Sequence, residues 1–467
     1  MTFEKLSVPG LSDDELATLN RCAEGLAQKS PRNRLRSSYY DGKRAAQQVG
    51  SVIPPQYANI GLALGWAAKG VDGLARRCNL EKMIWADGDL DSLGMSELEE
   101  SNFLFSEISQ ARTDSLLHGV SYLITTKGDV EAGEPASLVH AKDALNAFGE
   151  WNARRRSLDN LLSVTSREDG RITGFVLYLD GLTISADKVD GAWKVSRSEH
   201  PWGVPAEPLV YRPRGSRRMG RSRITRPVMS HQDSALRALV RLEGHMDIYT
   251  IPKLILLGAD ESIFKNADGS QKASWQVALG RTFGIPDEEG ADNPRADVKQ
   301  FDAQSPDSHL AQLNALAKLM ARETDLPDSD FALTDMANPT SADSYSASRE
   351  NLISEAEGTM GDWSVPIRRT VNRALAIQNG LTEVPEAWGS IETKWRSPIY
   401  LSKAAAADAG AKQIAVIPWL AETEVGLELL GLDEQQIRRA MADKRRAAGR
   451  AVVAALTPTP PANANGG

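Results

Sequence analysis

Cysteine is nearly absent from this chain: Cys22 and Cys78 are the two in 467 residues. So few thiols exclude a disulfide framework and favour a reducing compartment. Histidine is almost as sparse. His118, His140, His200, His231, His245 and His309 are never closer than fourteen residues apart, so the close pairs of a local metal site are missing. No GxxxxGK[ST] phosphate loop, GxGxxG turn after a strand, HExxH helix or GxSxG elbow occurs. An excess of cations is lacking too: the net charge is −8, which gives no bulk attraction to nucleic acid or anionic lipid. The uncharged stretch Val49–Ala68 holds Pro54, Pro55, Gln56 and Asn59 and is a poor membrane span. The opening MTFEKLSVPG has no apolar signal-peptide core. These absences predict a soluble cytoplasmic protein without cofactor or metal, and not an enzyme.

What is present is the ordinary balance of a globular chain, 41% apolar and 25% charged, long enough for about three domains. The most informative stretch is 339–379. Leu352, Ala356, Met360, Trp363, Ile367, Val371 and Ala374 recur every third or fourth residue, the spacing of one helix face. Thr340 and Asp343 form a capping-box pattern at its start. Pro366 stands inside, after Gly358 and Gly361, and proline there predicts a kink. A long bent helix suits a ring whose subunits wrap round an axis.

Upstream, Ser12 with Glu15 caps a helix to Lys29, ended by a turn at Ser30-Pro31 and followed by a short basic helix. Another helix ends near Arg77, and a further one spans Ser96–Leu117, capped by Ser96 with Glu99. From Val120 to Tyr211 the texture is β-branched and aromatic, and Asp169-Gly170, Asp180-Gly181 and Asp190-Gly191 read as hairpin turns. The fold class is therefore α+β. Past Pro227 a helix capped by Ser230 and Asp233 is expected. Short strands around a helix near Ser274–Arg281, with an acidic loop at 287–289, fill 252–305, and a second helix is capped by Ser305-Pro306. A strand at 391–395 and two or three helices over 402–455 follow. Asp433 and Gln436 cap the last of these, and Lys444, Arg445, Arg446 and Arg450 crowd its far end. The tail 457–467 has the composition of a disordered segment.

Three polar clusters compete for function. Asp87, Asp89 and Asp91 alternate like metal ligands but lack the glycine and distal glutamate of a calcium loop, so a solvated loop is favoured. Asp325, Asp328, Asp330 and Asp335 could supply paired catalytic carboxylates, with a polar loop again favoured. Residues 212–226 carry seven arginines. Arg214, Arg217, Arg218, Arg221 and Arg223 are candidates for phosphate contact. No aromatic residue is interleaved for base stacking, which favours a solvated or intersubunit loop paired with carboxylates of a neighbouring chain.

The order of these parts resembles the portal proteins of tailed double-stranded DNA phages, in particular the branch found in long-tailed phages of actinobacteria. Residues 31–42, PRNRLRSSYYDG, resemble the family's N-terminal opening; 116–124, LLHGVSYLI, its helix-to-strand step; 220–230, GRSRITRPVMS, its approach to the stem. Residues 338–345, NPTSADSY, resemble the join between tunnel loop and wing helix, and 402–409, SKAAAADA, the start of the crown.

The resemblance covers about 30–450. It implies a portal fold of wing, stem, clip and crown with a long kinked helix, assembling into a dodecameric ring at one capsid vertex. The implied parts are an N-terminal wing over 1–226, stem helices at 227–251 and 306–324, and a clip at 252–305. A channel loop at 325–339, a kinked wing helix and strand at 340–400, and a crown at 401–456 complete it. Asp325, Asp328, Asp330 and Asp335 would then line a conduit that repels phosphate, with double-stranded DNA passing through. The implied partners are the terminase large subunit, the head–tail adaptor, and the major capsid and scaffolding proteins, met in the host cytoplasm and then in the virion. A different head-completion ring and, remotely, a metal-dependent nuclease are the competing readings.

Overall fold

The computed structural model describes residues 5–44, 61–249, 253–257, 265–266, 269–270, 282–285, 297–301, 305–331, 349–399 and 403–456. The chain divides into two compact units, Met1–Pro398 and Ile399–Gly467.

The first helix, α1 (Asp13–Tyr40), opens on the expected capping box: Ser12 Oγ accepts from the Glu15 amide, and Glu15 Oε2 accepts from the Ser12 amide at 2.8 Å. The turn expected at Ser30-Pro31 is not there; α1 runs through Pro31 to Tyr40. Pro31 is exposed and forfeits one helical donor, while tertiary bonds hold the second half in place. Asn33 Nδ2 donates to the Ala144 carbonyl at 3.1 Å, and the Tyr39 hydroxyl donates to Asp233 at 2.7 Å.

After α2 (Trp66–Ala75), the single helix expected over 96–117 proves to be two, α3 (Met95–Asn102) and α4 (Leu104–His118). Phe103 divides them in the left-handed region at φ 49°. The break lets the Asn102 side chain enter the core, where it donates to the Ser137 carbonyl (3.0 Å) and accepts from the Val139 amide (2.8 Å). Ser96 does not cap α3; its hydroxyl donates to Asp91 at 2.6 Å.

The strands β1 (Leu80–Trp85), β2 (Val120–Lys127), β3 (Ser137–Asp143), β4 (Ala147–Asn152) and β5 (Ser157–Glu168) come next, then β6 (Arg171–Leu179), β7 (Leu182–Val189), β8 (Ala192–Glu199) and β9 (Ala206–Val210). They form separate sheets. One is an antiparallel meander, β4-β5-β6-β7-β8, and another has β2 between β3 and β9. The Asp-Gly pairs do make the meander's turns. Asp169 and Gly170 sit at φ 48° and 80°, Asp190 and Gly191 at 50° and 82°, the double positive φ of a type I′ hairpin. Leu19, Cys22, Ala23 and Leu26 of α1 pack on Leu162, Phe175, Leu177 and Ile184 of this sheet.

Helix α5 (Arg226–Tyr249) starts earlier than the sequence suggests, with Pro227 in its first turn, where a missing amide costs least. Thr225, rather than Ser230 or Asp233, supplies the cap through Oγ1 to the Val228 amide. A sheet of β10 (Lys253–Leu257), β11 (Thr282–Ile285) and β12 (Asp297–Phe301) follows, with β10 central, parallel to β11 and antiparallel to β12. The helix expected at 274–281 and the acidic loop at 287–289 lie outside the described residues. Helix α6 (Asp307–Thr324) packs along α5, with Ser305 Oγ accepting from the Asp307 amide.

Helix α7 (Glu350–Gln378) passes through Pro366; the Thr340–Asp343 cap lies outside the described residues. Its stripe from Leu352 to Ala374 is buried, with Trp363 wholly so, against β2, β3 and β9 and the strand that follows it. Strand β13 (Ile391–Trp395) pairs antiparallel with β1.

In the second unit, α8 (Lys403–Val416), α9 (Glu424–Leu429) and α10 (Glu434–Leu456) follow in order. Asp433 and Gln436 exchange the two bonds of the expected capping box, at 3.0 and 2.9 Å. The tail 457–467 lies outside the described residues. No described helix is long and apolar enough to cross a membrane.

Candidate functional site around the arginine loop

The loop between β9 and α5 is shaped by two glycines. Gly119, at φ 105°, and Gly220, at φ 64°, bring it back onto the end of α4. The Tyr211 amide donates to the Gly119 carbonyl, the Arg221 amide to the Tyr211 carbonyl, and the Arg223 amide to the Leu116 carbonyl. A Cβ on Gly220 would run into the carbonyl oxygens of Tyr211 and Gly119, so glycine is required there on two grounds.

This path drives Arg223 into the body. Its guanidinium donates to the carbonyls of Gly70 and Thr324, to the Tyr211 hydroxyl at 3.0 Å, and to Glu355 Oε2 at 2.6 Å. Its side chain is 5% exposed and that of Glu355 7%. One buried fork thus ties together α2, the arginine loop, the last residue of α6 and the wall of α7. Burial works against the Arg223 charge, but Tyr211 and Glu355 outweigh it and raise its pKa. The other Glu355 oxygen takes Arg212 at 2.7 Å and the Tyr211 hydroxyl. Burial pushes the Tyr211 phenol up to about 12.

Of the arginines marked as phosphate or intersubunit candidates, Arg223 is therefore corrected. Its donors are spent inside the chain, because burying a guanidinium demands a carboxylate and Glu355 supplies it. Arg214 and Arg217 are exposed, bridged to each other through their backbones. Arg218 is exposed and lies 4.9 Å over the Trp151 ring. Arg221 is half-buried. The aromatic partner absent from the loop's own sequence comes from β4.

The aspartates separate as well. Asp325 ends α6 in the left-handed region at φ 52°, 4.0 Å from Arg212. Burial raises its pKa, with repulsion from Glu355 adding to the rise. The Asp330 carboxylate lies 3.7 Å from Arg349, and its carbonyl accepts from Lys69. Asp328 is exposed and turns back on the Ser329 amide. Asp335 lies outside the described residues. Leu326 and Phe331 are buried, Phe331 meeting Trp66 edge-on at 5.8 Å. The base of this loop is thus fastened to α2.

Pro366 lies on the wall of a cleft of about 400 Å³, which Trp151, Arg156, Arg218, Asp362 and Arg369 also line. Ser364 and Thr370 return their hydroxyls to the carbonyls of Met360 and Pro366, back-bonds that favour bending. Sequence reasoning missed Tyr211, Trp151 and Glu355. The one available signal was Glu355 beside the apolar stripe, three residues after Leu352 and one before Ala356.

Comparison with known proteins adds the following. The family model for phage portal proteins of the SPP1 Gp6-like type matches residues 19–449. The chain is 25% identical over 417 residues to the portal protein of Mycobacterium phage D29, covering 88% of this chain and 83% of that protein. It is 26% identical over 388 residues to the portal protein of Mycobacterium phage L5, covering 80% and 77%. A chain in the neck of an empty gene transfer agent particle overlaps 79% of this one, at 16% identity and a TM-score of 0.41.

Proposed function

Because this chain belongs to the SPP1 Gp6-like family of phage portal proteins, we propose that twelve copies form a ring at one capsid vertex. Double-stranded DNA passes through its axial channel during packaging and ejection. The observation that carries this reading is the family match over 19–449, joined by two portal relatives that each cover most of the chain.

In this reading 1–226 and 340–400 form the wing, 227–251 and 306–324 the stem, 252–305 the clip and 401–456 the crown. The packing of α5 along α6 on either side of the β10–β12 sheet supports the stem and clip assignment. The loop 325–339 faces the channel, where Asp328 and its neighbours keep phosphate moving rather than bound. The terminase large subunit docks on the clip during packaging and supplies the phosphate loop that this sequence lacks. The head–tail adaptor takes its place in the mature virion. Capsid and scaffolding proteins surround the wing during assembly in the host cytoplasm. Arg214, Arg217 and Arg218 are exposed and serve as contacts to a neighbouring subunit.

Electron microscopy and mass photometry of the purified protein test the proposal. Rings with a central hole and a mass near twelve subunits are expected; a compact dimer or tetramer without a channel would overturn it.

A further inference from the structure

Helix α10 is half-anchored and half-bare. Ile437, near its start, is 3% exposed, and Met441 is half-buried, whereas every residue from Asp443 to Val452 is exposed. An amphipathic helix normally gives its second half something to cover, and among the described residues this one has nothing there.

The bare region is strongly cationic in a chain that is acidic overall. The helix carries Arg438, Arg439, Lys444, Arg445, Arg446 and Arg450 against Glu434 and Asp443. Some of these are already engaged: Arg438 with Glu434, Arg446 with Asp443, and Lys444 with Glu422. Among the described residues Arg439, Arg445 and Arg450 have no carboxylate partner. At about 100° per residue, Arg439, Arg446 and Arg450 fall within about 40° of one another. That places them on the side opposite Ile437 and Met441, the face that packs on the rest of the unit. They span about 16 Å along the helix axis, with Ala442, Ala447 and Gly449 between or beside them that do not stand in the way of a close approach.

We infer that this outer face of α10 contacts the phosphate backbone of double-stranded DNA. The inference rests on the portal reading, which assigns 401–456 to the crown of a ring through which double-stranded DNA passes. Guanidinium groups at helical intervals can each engage a phosphate oxygen pair, and a duplex offers one negative charge per about 1.7 Å of axis. The charge geometry favours a polyanion over an apolar protein partner, because the outward stripe is arginine and small residues rather than large apolar ones, and its one acid, Asp443, is already paired with Arg446. Binding to phosphate alone reads no sequence, as a surface meeting a whole genome requires.

The test uses the full-length protein titrated with a short mixed-sequence duplex at about 50 mM salt and above. It is compared with Arg439→Gln/Arg446→Gln/Arg450→Gln, since glutamine keeps helix propensity. The triple variant is expected to bind at least about tenfold more weakly. Its plot of log affinity against log salt should be shallower by about 0.9 for each phosphate that is no longer neutralised. Unchanged affinity and slope would overturn the inference, as would failure of the unaltered protein to hold the duplex. In either case rings seen by mass photometry would leave the portal reading standing. Loss of the ring in the variant alone would assign this face to a neighbouring copy and likewise overturn it.

Discussion

Arg223 and Glu355 stand 132 residues apart in sequence, yet their side chains meet at 2.6 Å inside the first unit, each less than a tenth exposed. The carboxylate holds Arg212 on its other oxygen, so one buried acid balances two cations while α2, α6 and α7 converge on them. Removing one partner leaves a desolvated charge without compensation. Glu355→Gln is expected to cost about 3–5 kcal/mol, read as a lower urea midpoint with unchanged slope. Arg223→Met with Glu355→Met should recover much of that loss, because no buried charge then remains at the fork. A single variant as stable as the parent would show that water reaches the cluster.

What could be read from the sequence was local. Ser12 with Glu15 and Asp433 with Gln436 state their bonds within one helical turn, and the Asp-Gly pairs state a backbone conformation in two residues. The stripe from Leu352 to Ala374 states a period. The elements that misled are those settled by distant partners. Pro31 stays helical because Asn33 and Tyr39 bond to residues far along the chain. Phe103 breaks a helix so that Asn102 can reach β3, and β1 forms its ladder with β13, far along the chain. The site follows the same division. The arginine run was visible as composition, but Arg223 differs from Arg217 only through Glu355, which nothing near position 223 announces.

Asp114 on α4 gives a prediction about pH. Burial, with Asp143 adding repulsion, pushes its carboxyl from 3.8 up to about 7, and Tyr40 of α1 also faces it. The folded chain therefore keeps a proton that the unfolded chain gives up above about pH 4, and this stabilisation fades as the pH rises to about 7. His118 and His140, which burial pushes down to about 4, act in the opposite direction, with stability lost as pH falls through 6.5 to 4. Asp114→Asn removes only the first effect. Its melting temperature should match the parent near pH 4 and exceed it near pH 8. An equal gap at both pH values would show that Asp114 is already charged in the fold.

Pro366 tests the ring through the helix. The proline withholds the amide that would close on the Asp362 carbonyl, and the Ser364 and Thr370 hydroxyls bond back to the carbonyls of Met360 and Pro366 in the neighbouring turns. If the proline bends α7, Pro366→Ala restores the missing hydrogen bond and should straighten it. Thermal unfolding of the monomer is expected to change little or improve, while the ring fraction in mass photometry falls. Normal rings from this variant would show that a kink at Pro366 plays no part in assembly.

The acidic loop after α6 separates two effects that a single double variant would confuse. Asp330 is tied to Arg349 through its carboxylate and to Lys69 through its carbonyl, so Asp330→Lys sets a cation against two others and loosens the base of the loop. Asp328 is exposed and spends only one oxygen on the adjacent Ser329 amide, so Asp328→Lys changes the charge the loop offers to its surroundings with little change in the fold. If the loop lines the conduit, Asp328→Lys alone should slow packaging by holding phosphate, and raised salt should partly relieve it, because the attraction is screened. Asp330→Lys should add a loss of ring stability that salt does not relieve. Packaging by Asp328→Lys at the parent rate, measured with purified terminase and protected DNA as the readout, would place that side chain away from the passing duplex.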